Sequence, residues 1–177
     1  MPTATGDIDA FERAVFEQEA VPPAHYDQEY FQADWREGGN RYDLETRREI
    51  EARNPALIKE VFEPQHVLDV GCGPGFLMYF LHELGVEVDG IDYSEETVRL
   101  APPEMQDRIK VGSVTDSHVP DESYDLVICR EVMEHLTVLQ VRQTVAAICR
   151  ASSKHVYLTT RFHPEPRDLL DSTTRFG

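Results

Sequence analysis

Residues 66–84, HVLDVGCGPGFLMYFLHEL, decide the fold of this chain. The segment opens with a short apolar run, residues 66–70, that is typical of a buried parallel strand. Glycines then stand at alternate positions, and apolar residues recur at helical spacing from 77 to 84. The pattern predicts a strand, a tight glycine turn and a helix. Such a turn lets a ligand approach the backbone, and the helix N-terminus faces that ligand with free N–H groups.

The spacing of the glycines narrows the class of ligand. It reads G-x-G-x-G, whereas a dinucleotide fingerprint needs G-x-G-x-x-G and a phosphate-binding Walker loop needs Gly-Lys-Ser/Thr. A nicotinamide-binding domain is therefore the disfavoured alternative. Asp92 ends the next predicted strand, where a carboxylate can accept both hydroxyls of a ribose. Together with Asp69, just before the glycines, it suits a nucleoside that carries a charged amino-acid tail.

Three ordered motifs carry a resemblance to a known family. VLDVGCGPG (67–75), GIDYS (90–94) and YDLVICREVMEHL (124–136) resemble the successive motifs of class I S-adenosylmethionine-dependent methyltransferases, most closely the ubiquinone-biosynthesis O-methyltransferases. The resemblance covers roughly residues 60–162. It implies an α/β fold with a doubly wound, mainly parallel, Rossmann-like sheet, and S-adenosyl-L-methionine as the cofactor.

The rest of the chain is organised around this core. Strands are predicted at 66–70, 86–92, 108–112, 124–129 and 155–160, alternating with helices as in a parallel sheet. The predicted division is an N-terminal helical and lid segment (1–62), the cofactor-binding core (63–162) and a C-terminal tail (163–177). Residues 25–42 hold five aromatic side chains, which predict a lid over the site; a loop pinned to the domain by its aromatics is the alternative.

The C-terminal segment departs from the family pattern. The family fold ends with a further helix and an antiparallel strand pair, and neither can be recognised after Arg161. The predicted sheet therefore lacks that strand pair, either because the chain is truncated or because a partner completes the sheet. Proteins normally cover open sheet edges. A homodimer is the corresponding expectation, with disorder after about residue 162 as the other.

Ligands of open α/β sheets bind beyond the carboxyl ends of the strands. From this rule and the resemblance, the cofactor site is predicted to comprise Asp69, Gly71, Cys72, Gly73, Gly75, Asp92, Tyr93, Ser113, Val114 and Arg130. The resemblance implies that residues 113–114 flank the adenine, although many relatives carry an acidic residue at position 113. It also implies that the backbone at 130 contacts the cofactor. Arg41 is predicted to pair with the methionine carboxylate, with a surface role as the alternative.

Residues 131–135 hold the predicted acceptor chemistry. Glu131, Glu134 and His135 stand at i, i+3 and i+4, so a helical turn would place them on one side. His135 is the predicted base, with both glutamates orienting it or holding a metal. The ExxEH pattern with His163 resembles the divalent-metal site (Mg²⁺, Mn²⁺ or Zn²⁺) of ubiquinone-type O-methyltransferases and small-RNA 3′-terminal 2′-O-methyltransferases. Many class I enzymes carry the same Glu-His-Leu step without a metal.

The charge and the cysteines bound the function further. The chain has 33 acidic and 17 basic residues and a net charge of −16, which argues against nucleic acid or an anionic membrane as a partner. Three cysteines without C-x-x-C spacing, and no signal peptide, indicate reduced thiols and a cytoplasmic location. The predicted function is methyl transfer to a small-molecule acceptor at a hydroxyl oxygen. The alternatives are a metal-dependent RNA 3′-end 2′-O-methyltransferase and a non-catalytic cofactor-binding subunit.

Overall fold

The computed structural model describes residues 13, 17–32, 43–51, 53–116 and 119–160. Within them lies a parallel sheet of five strands in the order β3-β2-β1-β4-β5. The strands are β1 (His66–Val70), β2 (Glu87–Asp92), β3 (Ile109–Val111), β4 (Tyr124–Arg130) and β5 (Ser152–Thr159). This is the predicted α/β fold, and all five predicted strands are confirmed.

Helices precede the sheet and connect its strands. They are α1 (Gln28–Gln32), α2 (Leu44–Glu51), α3 (Asn54–Phe62), α4 (Phe76–Glu83), α5 (Glu96–Leu100), α6 (Pro103–Gln106) and α7 (Val138–Ala151), with 3₁₀ turns at Pro23–His25 and Met133–His135. None of the helices in the described ranges is long and apolar enough to span a lipid bilayer.

Two hydrophobic cores cover the two faces of the sheet. On one face, Val67 and Leu126 pack with Met78 and Leu81 of α4. On the other face, Leu68 and its neighbours pack with Ile148 of α7. Because both faces are covered, the central strands are almost continuously apolar. The polar ends of these strands therefore gather at one edge of the sheet.

The buried stripe of α7 differs from the stripe that its periodicity suggests. Val138, Val141, Val145 and Ile148 recur at helical spacing and predict the buried stripe. Val138 and Val145 are 47% and 38% exposed, whereas Val141 is partly buried and packs against the core. The buried residues are instead Thr144, Ala147, Ile148 and Ala151. Both stripes share Ile148, and the small side chains of the second one let the helix lie close to the sheet. The prediction that the valines face the core is wrong for Val138 and Val145.

Residues 161–177, after β5 and Thr160, lie outside the described residues. The tail (163–177) and the predicted lack of a strand pair after Arg161 therefore stay predictions, as does the division into an N-terminal segment and a core. On its other side, β5 pairs with β4 in parallel register from Leu126↔His155 to Arg130↔Thr159.

Candidate cofactor and acceptor site

The glycine turn after β1 is folded against the end of β2. The N–H groups of Gly71 and Cys72 donate to the carbonyl oxygen of Ile91 at 2.7 and 3.3 Å. The N–H of Gly73 donates to Asp92 Oδ2 at 2.8 Å. Gly71 has φ +72°, and a Cβ at this position would lie 2.3 Å from Cγ2 of Val132. The turn therefore requires glycine here for both its conformation and its packing.

Asp92 ends β2 beside this turn. Its Oδ1 accepts the N–H of Ser94 at 2.9 Å while its Oδ2 accepts Gly73. Burial raises the pKa of Asp92, and the backbone N–H groups that it accepts oppose this shift. A carboxylate has about four lone-pair sites. Two of them serve the backbone, which leaves capacity to accept hydroxyl groups.

A cavity of about 340 Å³ lies beyond the carboxyl ends of the strands. Seven of the ten predicted cofactor residues line it: Gly71, Gly73, Asp92, Tyr93, Ser113, Val114 and Arg130. Asp69, Cys72 and Gly75 are not among its lining residues. Strand alternation explains the position of Asp69, whose register partner Ile128 belongs to the core on the α4 face.

Asp69 belongs to a buried charge cluster with Arg130 and Glu51. Burial raises the pKa of Asp69 to about 7; the positive charge of Arg130 opposes the shift, and the carboxylates of Glu51 and Asp92 add to it. The guanidinium of Arg130 donates two hydrogen bonds to Glu51, both 3.0 Å long. The cluster thus joins α2, β1 and β4 at the carboxyl edge of the sheet.

The N-terminal segment 21–32 forms a wall of the cavity. Tyr26, Tyr30 and Phe31 line it. The carbonyl oxygen of Tyr26 accepts the hydroxyl of buried Ser94, and its ring meets the ring of His135 edge to face at 5.9 Å. Burial, followed by the nearby Asp92, raises the pKa of Tyr26 well above its ordinary value. These contacts fit both a lid and a loop pinned to the domain by its aromatic rings, so the lid stays a prediction; the rest of the predicted lid, residues 33–42 with Arg41, lies outside the described residues.

The predicted acceptor residues do not share one helical face. Glu131 has a left-handed backbone, φ +54°, and only Met133–His135 form a 3₁₀ turn. The hydroxyl of Thr159 donates to Glu131 Oε1 at 2.9 Å, and that of Thr160 donates to Glu134 Oε2 at 3.2 Å. The ring of His135 meets the ring of Tyr26 edge to face. The predicted helical turn from Glu131 to His135 is wrong because the chain leaves β4 through a left-handed residue. Glu131 and His135 nevertheless line the same cavity.

These residues do not form a three-ligand metal site on their own. Within 13, 17–32, 43–51, 53–116 and 119–160, no three His, Cys, Asp or Glu side chains are grouped closely enough to hold a metal ion. Burial and the neighbouring carboxyl of Glu131 raise the pKa of Glu134, since like charges disfavour ionisation. The fourth predicted ligand, His163, lies outside the described residues. The structure therefore offers a close carboxyl pair rather than a complete ligand set.

Several residues that line the cavity were not predicted from the sequence. Asp116 lines the cavity, and its N–H donates to the carbonyl oxygen of Ser113 at 3.2 Å. Many relatives carry an acidic residue at position 113; in this chain the acidic side chain of Asp116 stands three residues later. Gln140, Gln143 and Thr144 of α7 also line the cavity. No motif marks them, because only the packing of α7 brings them there.

A methyltransferase domain family matches residues 67–155 of this chain, about half of its length. The chain therefore belongs to this family, and its motifs and sheet make it a class I S-adenosylmethionine-dependent methyltransferase domain.

The chain is also similar to named proteins and to a solved structure. The ubiquinone biosynthesis O-methyltransferase of Aliivibrio fischeri is 32% identical over 120 residues, covering 60% of this chain and 51% of the relative. The mitochondrial enzyme of that name from Schizosaccharomyces pombe is 33% identical over 86 residues, covering 44% and 31%. The PH0226 protein of Pyrococcus horikoshii OT3 superposes with a TM-score of 0.56 at 29% identity, covering 67% and 60%. The chain spans about half the length of the first of these relatives.

Proposed function

We propose that the protein transfers a methyl group from S-adenosylmethionine to a hydroxyl oxygen of a small-molecule acceptor. The observation that carries this proposal is the cavity in which Asp92 and the glycine turn lie together with His135 and Tyr26. Its volume falls within the range of small-molecule sites, about 300–1,000 Å³. The similarity to two ubiquinone biosynthesis O-methyltransferases supports oxygen as the acceptor atom.

In this proposal the cofactor lies across the ends of the strands. Asp92 accepts the two ribose hydroxyls through its remaining lone pairs. Tyr93 and Val114 flank the adenine, and Ser113 and Asp116 offer polar atoms to its edge. Gly71 and Gly73 keep the wall free of side chains, so the ligand lies directly against the backbone.

Methyl transfer from a sulfonium is an in-line displacement. The acceptor oxygen forms a bond to the methyl carbon, the carbon–sulfur bond breaks, and its electron pair returns to sulfur to give S-adenosylhomocysteine. The hydroxyl proton goes to His135, whose ring is held against Tyr26. The protein contributes mainly alignment of the three reacting atoms, and a positioned base adds to it. Glu131 and Glu134 have the proposed role of holding the chain around His135 in place through their hydrogen bonds with Thr159 and Thr160.

Methyl transfer to a catechol, followed with labelled cofactor, tests the proposal. We expect His135→Ala to lower kcat by about 10²–10⁴-fold, the usual contribution of a general base, while S-adenosylhomocysteine still binds. We expect Asp92→Ala to lose that binding. Because Asp92 also accepts two backbone N–H groups, thermal unfolding must show that the variant is folded. His82→Ala, on exposed α4 surface, is the matched control.

Full activity in His135→Ala would contradict the proposed base. Cofactor binding without transfer to any acceptor would instead support the non-catalytic alternative. The same assay tests the predicted cation. If Glu131, Glu134 and His135, together with His163, hold Mg²⁺, Mn²⁺ or Zn²⁺, EDTA silences the enzyme, metal restores it, and Glu131→Ala is as inactive as His135→Ala. Activity that survives EDTA would contradict the cation.

A further inference from the structure

Ser94 connects the end of β2 to the N-terminal segment 21–32. It follows Asp92 by two residues and is 2% exposed. Its hydroxyl donates to the carbonyl oxygen of Tyr26, 68 residues earlier in the chain. Asp92 and Tyr26 line the cavity, whereas Ser94 is not among its lining residues. Any role of Ser94 in the reaction must therefore pass through the residues that it holds.

The other polar groups of Ser94 are used within its own turn. Its N–H donates to Asp92 Oδ1 at 2.9 Å, and its carbonyl oxygen accepts the hydroxyl of Thr97 at 2.7 Å. Its Oγ also accepts the N–H of Glu96 at 3.1 Å. A serine hydroxyl has a single proton to donate. By giving that proton to Tyr26, Ser94 fixes a distant backbone segment relative to Asp92.

The ring of Tyr26 lies between two other rings. It meets the ring of His135 at 5.9 Å and an interplanar angle of 82°, and the ring of Tyr30 at 5.1 Å and 89°. Edge-to-face pairs are directional and prefer centroid separations of about 4.5–7 Å. Tyr30 in turn meets Phe31, which is 4% exposed. The ring of His135 is therefore held from the N-terminal segment, and Tyr26 links it to Ser94.

The sheet alone does not connect the two ends of the reaction site. Asp92 ends β2, His135 follows β4, and β1 lies between these strands. Two strand spacings of about 4.8 Å each thus separate the proposed ribose ligand from the proposed base. The N-terminal segment bridges this gap. It is bonded to Ser94 on one side, and on the other Gln18 Oε1 accepts the N–H of Val138 at 2.8 Å.

We propose that Ser94 is a positioning residue for methyl transfer, which acts through Tyr26 to hold the ring of His135 in place relative to a cofactor bound at Asp92. This inference rests on the proposed function. Alignment of the reacting groups matters because a displacement of about 1 Å can cost about 10²-fold in rate. The bond from Ser94 to Asp92 uses the backbone N–H, so a change of the Ser94 side chain leaves it in place. The expected defect therefore lies in kcat and not in cofactor affinity.

A double-mutant cycle with His135 tests this role. We expect Ser94→Ala to lower kcat for methylation of catechol about 10-fold, the upper range for one hydrogen bond. Titration calorimetry should find the Kd of S-adenosylhomocysteine within about twofold of the wild type. In the His135→Ala background, Ser94→Ala should cause no further loss, because the residue through which it acts is gone. An equal loss in both backgrounds, or a parallel loss of cofactor affinity, would overturn the proposal.

Two variants of Tyr26 test the middle of the connection. Tyr26→Phe keeps the ring and the backbone carbonyl and should lose less than about threefold in kcat. Tyr26→Ala keeps the carbonyl without the ring and should lose at least as much as Ser94→Ala. Equal losses in both variants would overturn the assignment to the ring.

The matched control is Ser153→Ala. The hydroxyl of Ser153 also donates to a distant backbone carbonyl, that of Tyr124, at 3.1 Å. This bond joins β5 to the first residue of β4, at the end of the sheet away from the cavity. The variant should match the wild type in kcat and in cofactor affinity.

Nuclear magnetic resonance of the histidine rings gives a readout that needs no activity. The chain has 7 histidines, and the ring signals of His135 are those that His135→Ala removes. We expect Ser94→Ala to shift these signals in the direction seen in Tyr26→Ala, because the ring current of Tyr26 moves away, while Ser153→Ala leaves them unchanged. Unchanged signals in a folded Ser94→Ala would overturn the inference and leave the proposed function intact. A wild type that methylates no acceptor would overturn the proposed function, and with it the role of Ser94 in the reaction.

Discussion

At the scale of single residues, Asp69 holds a carboxyl group whose ionisation opposes folding. The side chain is 4% exposed, and burial raises its pKa to about 7 against an ordinary value of 3.8. A carboxyl group whose pKa is higher in the folded state than in the unfolded state adds stability to the fold at low pH. This stability is fully present below the pKa of the unfolded state and is lost as the pH rises through the pKa of the folded state. The domain therefore loses stability through this group between about pH 4 and pH 7.

The substitution Asp69→Asn should remove this loss. We expect the variant to exceed the wild type in free energy of unfolding at pH 8, with the difference vanishing near pH 4. The slope between these limits is at most about 1.4 kcal/mol per pH unit, the value of one proton. Urea unfolding at pH 4.5, 6 and 8 measures it. Asp121→Asn, at an exposed carboxyl 3.9 Å from Arg150, is the control. A pH-independent difference would refute the assignment.

At the scale of elements, the turn between β1 and α4 depends on a glycine for two separable reasons. Gly71 and Gly85 have similar left-handed backbones, φ +72° and +79°. A Cβ at Gly71 would collide with Val132, whereas a Cβ at Gly85 would meet nothing within 4 Å. The two sites therefore separate the cost of the backbone conformation from the cost of the collision.

We expect Gly85→Ala to lower the free energy of unfolding by about 1–2 kcal/mol, the cost of a left-handed alanine. Gly71→Ala should cost about 1–3 kcal/mol more, because the loop after β4 must move to make room. Urea unfolding of both variants gives the comparison. Equal losses would mean that the loop yields without strain. Since Gly71 itself lines the cavity proposed for the cofactor, Gly71→Ala should also weaken S-adenosylhomocysteine binding.

At the scale of the whole molecule, β5 is the outermost strand on its side of the described sheet. Val156 and Leu158 on this strand are each 38% exposed. Proteins usually cover such an edge, and a second copy of this chain would do so. The homodimer therefore stays a prediction. We expect light scattering to show a dimer that Val156→Lys converts to a monomer without changing cofactor binding. Val145→Lys, on an equally exposed valine of α7, should stay dimeric. A compact wild-type monomer would contradict this prediction.

The sequence by itself determined the strands, the glycine turn and the place of Asp92. These features depend on alternation, on the backbone freedom of glycine and on short spacings, all of which are properties of neighbouring residues. The resemblance of three local motifs then led to the correct family. Seven of the ten predicted cofactor residues line one cavity for the same reason, since the ends of parallel strands meet at one edge.

Only the tertiary structure decided which distant residues meet around that cavity. Glu51 and Arg130 are 79 residues apart, and Tyr26 and Ser94 are 68 apart. No local pattern marks such pairs, because packing of whole elements creates them. The same holds for Glu131, whose left-handed backbone depends on its contacts with Thr159 rather than on helical spacing. Local periodicity sets the elements, and long-range packing sets which side chains meet at their ends.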